Sequence, residues 1–79
     1  MRLDKFLKVS RLIKRRTLAN EACDAGRVLL NDKVAKASAN VAAGDIVEIK
    51  FGAGSQKVRV LGVKEHVRKE EATELYEPI

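Results

Sequence analysis

Apolar residues recur at helical spacing near the start of the chain. Leu3, Phe6 and Leu7 lie on one face of a helix predicted over residues 3–9, and lysines fall on the opposite side. Asp4 lies in the first turn, where a carboxylate meets the positive end of the helix dipole and can also hold a neighbouring guanidinium. The pattern therefore predicts a short helix that buries one apolar stripe.

A second helix is predicted from residue 14 or 15 to residue 25. Leu18, Ala22 and Ala25 form its expected core stripe, and Gly26 takes the C-terminal capping position. Two arginines at the N-terminus of this helix are unfavourable for its dipole, which points to a functional reason for them. The side facing away from the expected core stripe carries Arg16, Asn20 and Cys23.

Short runs of alternating apolar residues predict about four strands after the helices. Asn31 and Asp32 form the two-residue turn of the first hairpin, in which Asp32 must tolerate a left-handed conformation. The predicted strands cover residues 28–30, 33–35 and 46–51, and a last strand carries Val58, Val60 and Val63. Two helices followed by a small antiparallel sheet indicate the α+β class.

The last segment, residues 64–79, is highly charged. We expect it either to form a short terminal helix or to remain a loosely docked tail, next to a domain that covers residues 1–63. The apolar residues available for packing in this segment are Val67, Ala72, Leu75 and Tyr76.

Length and composition exclude several classes of function. A chain of 79 residues forms one domain with a thin core, and we expect no enzyme, no cofactor and no small-molecule substrate. The single Cys23 cannot form an intrachain disulfide and is predicted to be a packed thiol, because His66 is the only histidine available as a helper. A metal site lacks ligands for the same reason. No apolar run suits a signal peptide or a membrane span, so we expect a cytoplasmic protein.

Positive charge is concentrated in the first half of the chain. Residues 1–36 hold ten Lys or Arg against four acids, whereas residues 37–79 hold six against seven. Such a split favours a polyanion partner, with nucleic acid ahead of an anionic membrane. Aromatic residues are 4% of the chain, so base stacking cannot dominate. The candidate phosphate contacts are Arg2, Lys5, Lys8, Arg11, Lys14, Arg15, Arg16, Arg27, Lys33 and Lys36, with Asn20 and Asn31 as neutral donors.

Two kinds of nucleic acid remain open at this point. Two helices joined by a short turn are typical of helix-turn-helix DNA-binding domains. However, the second helix offers few exposed residues that could read bases, and strands follow where such domains have a third helix. Recognition of RNA shape through phosphates and 2′-hydroxyls fits the pattern better.

The order of motifs resembles the S-four RNA-binding domain, also called the αL motif. The motifs are "RLDKFL", "RR" at the start of the second helix, "GRVLLNDKVAK" and "AAGDIVEI", and together they span residues 2–51. The resemblance implies two helices packed on a small antiparallel sheet, with RNA bound on the helix pair and the adjoining hairpin. By motif position it assigns RNA contact first to Arg2, Asp4, Lys5, Arg15 and Arg16, and then to the flanking Arg27, Asn31, Lys33 and Lys36.

Over nearly its whole length the chain is similar to the free-standing RqcP family of bacterial ribosome quality control proteins, which is related to the fifteen-kilodalton heat-shock protein. Besides the N-terminal motifs, "FG" after a strand and "KEEA" with a following "LY" carry this resemblance. It implies a protein on the large ribosomal subunit that binds rRNA and peptidyl-tRNA while RqcH directs alanine tailing, and we expect this protein to be a monomer. A recycling role of the heat-shock type is the alternative. Asp32 departs from the glycine that often follows Asn31 in the family.

Overall fold

The computed structural model describes residues 1–79 and confirms the α+β class. Two α-helices pack on a five-stranded antiparallel sheet with the strand order β2-β1-β3-β4-β5. A 3₁₀ helix precedes the last strand. The elements are α1 Leu3–Val9, α2 Arg16–Asp24, β1 Val28–Leu30, β2 Lys33–Val34, β3 Ile46–Phe51, β4 Gly54–Val60, the 3₁₀ helix Lys69–Leu75 and β5 Tyr76–Pro78.

Helix α1 has the predicted bounds and the predicted apolar face. Leu3, Phe6 and Leu7 are fully buried in the core that the helices share with the sheet. The helix is tied to a later segment, because the Leu3 amide donates to the Ala39 carbonyl at 2.8 Å and the Val41 amide donates to the Met1 carbonyl at 2.8 Å. These bonds fix the N-terminus of α1 against the loop before β3.

The predicted core stripe of α2 is confirmed at Ala22 and wrong at Leu18 and Ala25. Ala19, Ala22 and Cys23 are buried, whereas Leu18 is 46% exposed and Ala25 lies on the surface. The large side chains of α1 already fill the shared core, so α2 approaches it with its smallest residues. Cys23 therefore lies on the inner side of α2 and not on the outer side, although the prediction that its thiol is packed is confirmed.

Helix α2 is slightly shorter than predicted, because it begins at Arg16 and ends at Asp24, but Gly26 takes the predicted capping position. Gly26 has a φ of +74°, and its amide donates to the Cys23 carbonyl while the Arg27 amide donates to the Ala22 carbonyl, both at 3.0 Å. This pair of bonds is the Schellman motif, in which a left-handed glycine satisfies the last helical carbonyls. The motif turns the chain directly into β1.

The structure confirms the first hairpin and shows that its two-residue turn is of type I′. Asn31 and Asp32 have φ values of +52° and +69°, as a type I′ turn requires. Strand β3 has the predicted bounds, and Val58 and Val60 of β4 are buried as predicted. Val63 lies beyond the end of β4 and is 38% exposed, so its assignment to that strand is wrong.

Of the two alternatives for the C-terminal segment, the structure shows the helix, in 3₁₀ form. Ala72 and Leu75 are buried, and the following residues add a strand that the sequence did not predict. In this strand Pro78 pairs with Val58 and Tyr76 pairs with Val60 of β4. The segment is therefore docked on the sheet. No helix of the structure has the length and apolar character needed to cross a membrane.

Candidate nucleic-acid interface

A buried carboxylate lies between the two helices, beside two arginines. Asp4 is 2% exposed and accepts hydrogen bonds from Arg2 Nε at 3.2 Å, from Arg16 Nη2 at 3.4 Å and from Asn20 Nδ2 at 3.4 Å. It also accepts from the backbone amide of Lys5 at 2.8 Å. We call these side chains, Arg2, Asp4, Arg16 and Asn20, the Asp4 cluster.

The helix ends bring the members of the Asp4 cluster together. Arg2 is the N-cap residue of α1 and Arg16 is the first residue of α2, so both extend from helix N-termini beside Asp4. Asn20 lies one turn after Arg16 on the same face of α2, because residues four apart are neighbours on a helix. The expectation that Asp4 holds neighbouring guanidinium groups is confirmed.

Charge pairing keeps Asp4 ionised although it is buried. Burial alone would raise its pKa, but hydrogen bonds from Arg2, Arg16 and Asn20, together with the charge of Arg16, outweigh burial and lower the pKa below 3.8. The side chains of Arg2 and Arg16 remain 51% and 48% exposed. One inward carboxylate therefore orients two guanidinium groups whose outer edges face solvent.

Two shallow grooves adjoin the Asp4 cluster. One, with a volume of about 420 Å³, is lined by Asp4, Arg16, Thr17, Asn20 and Glu21. The other, of about 520 Å³, runs between the end of α2 and the segment that follows β2. Arg2 and Lys36 both line this second groove, so the structure brings these two sequence-distant cations together.

A third concave region lies at the other end of α1. Lys8, Arg11 and Lys14 surround a cleft of about 110 Å³ with His66 on its far wall. Lys5 is half-buried and forms an ion pair with Glu65, which is another residue of this cleft. No local pattern in the sequence places His66 near the helices, because more than fifty positions separate it from the three cations of the cleft.

Not every candidate contact is free to bind a ligand. The Asn31 side chain accepts from the Ile46 amide at 2.9 Å and donates to Asp45 Oδ1 at 3.3 Å, so it clamps the hairpin turn to β3. Asp32 lies 3.5 Å from Lys57 Nζ at the hairpin tip. The remaining candidates are exposed and form no ion pair within the chain; they are Arg15, Arg27 and Lys33.

The thiol of the single cysteine is a poor nucleophile in its buried environment. Burial, with smaller contributions from the charges of Asp4 and Asp24, raises the pKa of the Cys23 thiol to about 11. Its thiolate, the nucleophilic form, is therefore scarce near neutral pH. The chain also contains no group of three or more His, Cys, Asp or Glu side chains placed to hold a metal ion.

Comparison with known proteins gives one family match and close relatives. The S4 domain family matches residues 1–47. The RQC P-site tRNA stabilizing factor of Halalkalibacterium halodurans is 61% identical over 77 residues, which are 98% of this chain and 88% of that protein. The Bacillus subtilis protein of the same name is 54% identical over 96% of this chain and 88% of its own length.

A solved structure has the same fold. The trimeric structure of Vibrio cholerae Heat Shock Protein 15 superposes with a TM-score of 0.92 at 30% sequence identity, and the alignment covers 100% of this chain and 81% of that one. The likeness extends through the C-terminal 3₁₀ helix and β5, which lie outside the residues matched by the S4 domain.

Proposed function

This chain belongs to the S4 domain family, and within it to the RQC P-site tRNA stabilizing factors, and from that membership we propose that it is a non-enzymatic RNA-binding factor of ribosome quality control. It binds large-subunit rRNA and P-site peptidyl-tRNA on obstructed large ribosomal subunits in the cytoplasm. There it acts as a monomer and supports RqcH-directed alanine tailing of the stalled nascent chain. The names of its relatives support the tRNA part of this proposal.

The Asp4 cluster carries the proposal. Guanidinium groups bind phosphate oxygens through two parallel hydrogen bonds, provided that their planes are held in place. Asp4 supplies this constraint from the inside, because it contacts Arg2 and Arg16 and leaves about half of each side chain exposed. A surface of this kind suits the phosphates of folded RNA.

The flanking cations extend this surface. Lys36 shares a groove with Arg2, and Arg15 occupies the N-cap position of α2. Arg27, directly before β1, and Lys33, the first residue of β2, are exposed. If about five of the candidate cations neutralise phosphates, the logarithm of the affinity falls with the logarithm of salt concentration with a slope of about −3.5 to −4.5.

Sedimentation tests the proposal in cells. A tagged copy should co-sediment with large subunits in a sucrose gradient when translation is stalled, and Arg2→Ala or Arg16→Ala should release it. Lys69→Ala is the matched control, because Lys69 is an exposed cation at the start of the 3₁₀ helix, without an ion pair and outside the candidate contacts. Absence of the wild-type protein from large-subunit fractions, or unchanged binding of both arginine variants, would contradict the proposal.

A recycling role of the heat-shock type is the second candidate, and the fold shared with Heat Shock Protein 15 favours it. Both roles use one basic surface, so the difference must be measured on the nascent chain. Deleting the protein should remove C-terminal alanine tails from stalled chains if the first proposal holds, and leave them intact if it acts only in recycling. Preference for duplex DNA over structured RNA at equal salt would exclude both candidates.

A further inference from the structure

The connection between α1 and α2 holds an arginine in a backbone conformation that favours glycine. Arg11 has a φ of +63° and follows the C-cap residue Ser10, and its amide donates to the Lys8 carbonyl at 3.0 Å. Most helices that end in this way place Gly at this position, because a side chain there costs about 1 kcal/mol. An arginine kept at such a position points to a function for its side chain.

Arg11 borders the small cleft at the end of α1, which we call the Arg11 cleft. Lys8, Arg11 and Lys14 form one wall with Val9, and Glu65, His66 and Val67 form the other. The cleft has a volume of about 110 Å³. It is the smallest of the three concave regions, and it has room for a single phosphate group of an RNA backbone.

The charges lining the Arg11 cleft are not balanced within the chain. Its one acid, Glu65, forms an ion pair with Lys5, which lies outside the cleft. Lys8, Arg11 and Lys14 form no ion pair. Three cations around one concave space repel one another, and an anion bound between them would relieve this repulsion. The cleft therefore favours an anionic ligand.

We propose that the Arg11 cleft binds one backbone phosphate of the RNA, as a site additional to the Asp4 cluster. This inference rests on the proposed function. Arg11 would bind two phosphate oxygens through its guanidinium group, with Lys8 and Lys14 as point charges. His66 and its neighbours lie beyond the residues matched by the S4 domain. The C-terminal segment therefore supplies one wall of the cleft, and the S4 domain supplies the other.

The variant Arg11→Gly separates binding from folding. Glycine relieves the left-handed backbone, so the thermal midpoint should stay the same or rise. The affinity of the full chain for a labelled RNA hairpin should fall about three- to tenfold. The slope of log affinity against log salt concentration should become less negative by about 0.7 to 0.9, the contribution of one phosphate contact. Lys69→Ala is again the control for losing a cation, since Lys69 does not line the cleft, and His66→Ala tests the opposite wall.

The outcomes distinguish this inference from the proposed function. If Arg2→Ala and Arg16→Ala weaken binding but Arg11→Gly keeps both affinity and salt slope, the cleft inference is overturned and the proposed function stands. If the wild-type chain binds no structured RNA, the proposed function fails.

A titration followed by NMR identifies the ligand. RNA should shift the signals of Lys8, Arg11 and His66 in the wild-type chain. If inorganic phosphate shifts these signals and RNA does not, the cleft is a site for a free anion and the RNA assignment is wrong.

Discussion

Asp4 and Arg16 lie on different helices and meet through two contacts of 3.4 Å, from Arg16 Nε to Asp4 Oδ2 and from Arg16 Nη2 to Asp4 Oδ1. The Asp4 side chain is 3% exposed, whereas that of Arg16 is 48% exposed. The carboxylate is thus an internal support for a guanidinium group that faces outward. An acid among cations would ordinarily weaken the binding of phosphate, but here it orients the guanidinium groups that we propose bind RNA.

The variant Asp4→Asn tests this support directly. If only net charge mattered, removing an acid would strengthen RNA binding. We expect the opposite, a loss of affinity of about tenfold, because Arg2 and Arg16 lose the acceptor that orients them. The free energy of unfolding should fall by about 1–3 kcal/mol, the range for disrupting a buried charged hydrogen bond. Fluorescence anisotropy with an RNA hairpin and urea unfolding measure the two effects; tighter binding by the variant would refute the orienting role.

Stability should depend on pH through the same carboxyl group. The pKa of Asp4 lies below 3.8 in the folded chain, so the folded state binds its proton less readily than the unfolded state. Its contribution to stability is therefore complete above 3.8 and is lost as the pH falls through the folded pKa. Urea unfolding across this acidic range should show a steeper loss for the wild type than for Asp4→Asn. Identical pH profiles would show that Asp4 contributes nothing to acid stability.

Local patterns were sufficient to predict much of the fold. The spacing of Leu3, Phe6 and Leu7 gave α1, and Gly26 gave the end of α2, because both signals depend on residues only a few positions apart. The inner face of α2 depends on the element it meets. Leu18 is the more apolar residue, but the small Ala19 fits against α1, and only the packed helix pair decides between them.

Long-range contacts account for what the sequence did not reveal. Strand β5 has only three residues and ends in Pro78, so its sequence is typical of an unstructured tail. It becomes a strand because it pairs with β4 in the folded chain. The position of Asp4 in a first turn indicated a partner guanidinium, and the structure supplied Arg2 and Arg16. By contrast, nothing near His66 in the sequence points to α1, because the cleft between them exists only after the C-terminal segment docks.

Cys23 should resist thiol reagents in the folded chain. Its pKa of about 11 exceeds the ordinary value of 9.0, and the residue is 4% exposed, so little accessible thiolate exists near neutral pH. Reaction with an aromatic disulfide reagent should be slow in buffer and fast in denaturant. Because the folded pKa is raised, stability should also fall as the pH rises from 9.0 towards 11. Fast reaction without unfolding would contradict the packed environment of the thiol.

The hairpin turn allows a matched pair of glycine substitutions. Both Asn31 and Asp32 have positive φ, but only the Asn31 side chain bonds to the start of β3. Asp32→Gly should therefore stabilise the chain by about 0.5–1 kcal/mol, since it relieves the left-handed backbone and loses only an exposed contact with Lys57. Asn31→Gly should destabilise it by about 1 kcal/mol, because the Ile46 amide loses its acceptor. Thermal unfolding of both variants measures the difference; equal shifts would mean that the Asn31 clamp contributes nothing.

Two leucines test whether the C-terminal segment belongs to the core. Leu75 is 2% exposed and lies in the core cluster, and its carbonyl accepts the Leu61 amide at 2.8 Å, so the segment is held by packing and by backbone bonds. Leu75→Ala should cost about 2–4 kcal/mol, because it leaves a cavity beneath the 3₁₀ helix. Leu18→Ala removes the same side chain from a surface position that is 46% exposed, so it should change stability by less than about 0.5 kcal/mol. Urea unfolding compares the two variants. Similar values for both would mean that the segment docks only weakly, and the wall that it gives to the Arg11 cleft would then be too mobile to hold a phosphate.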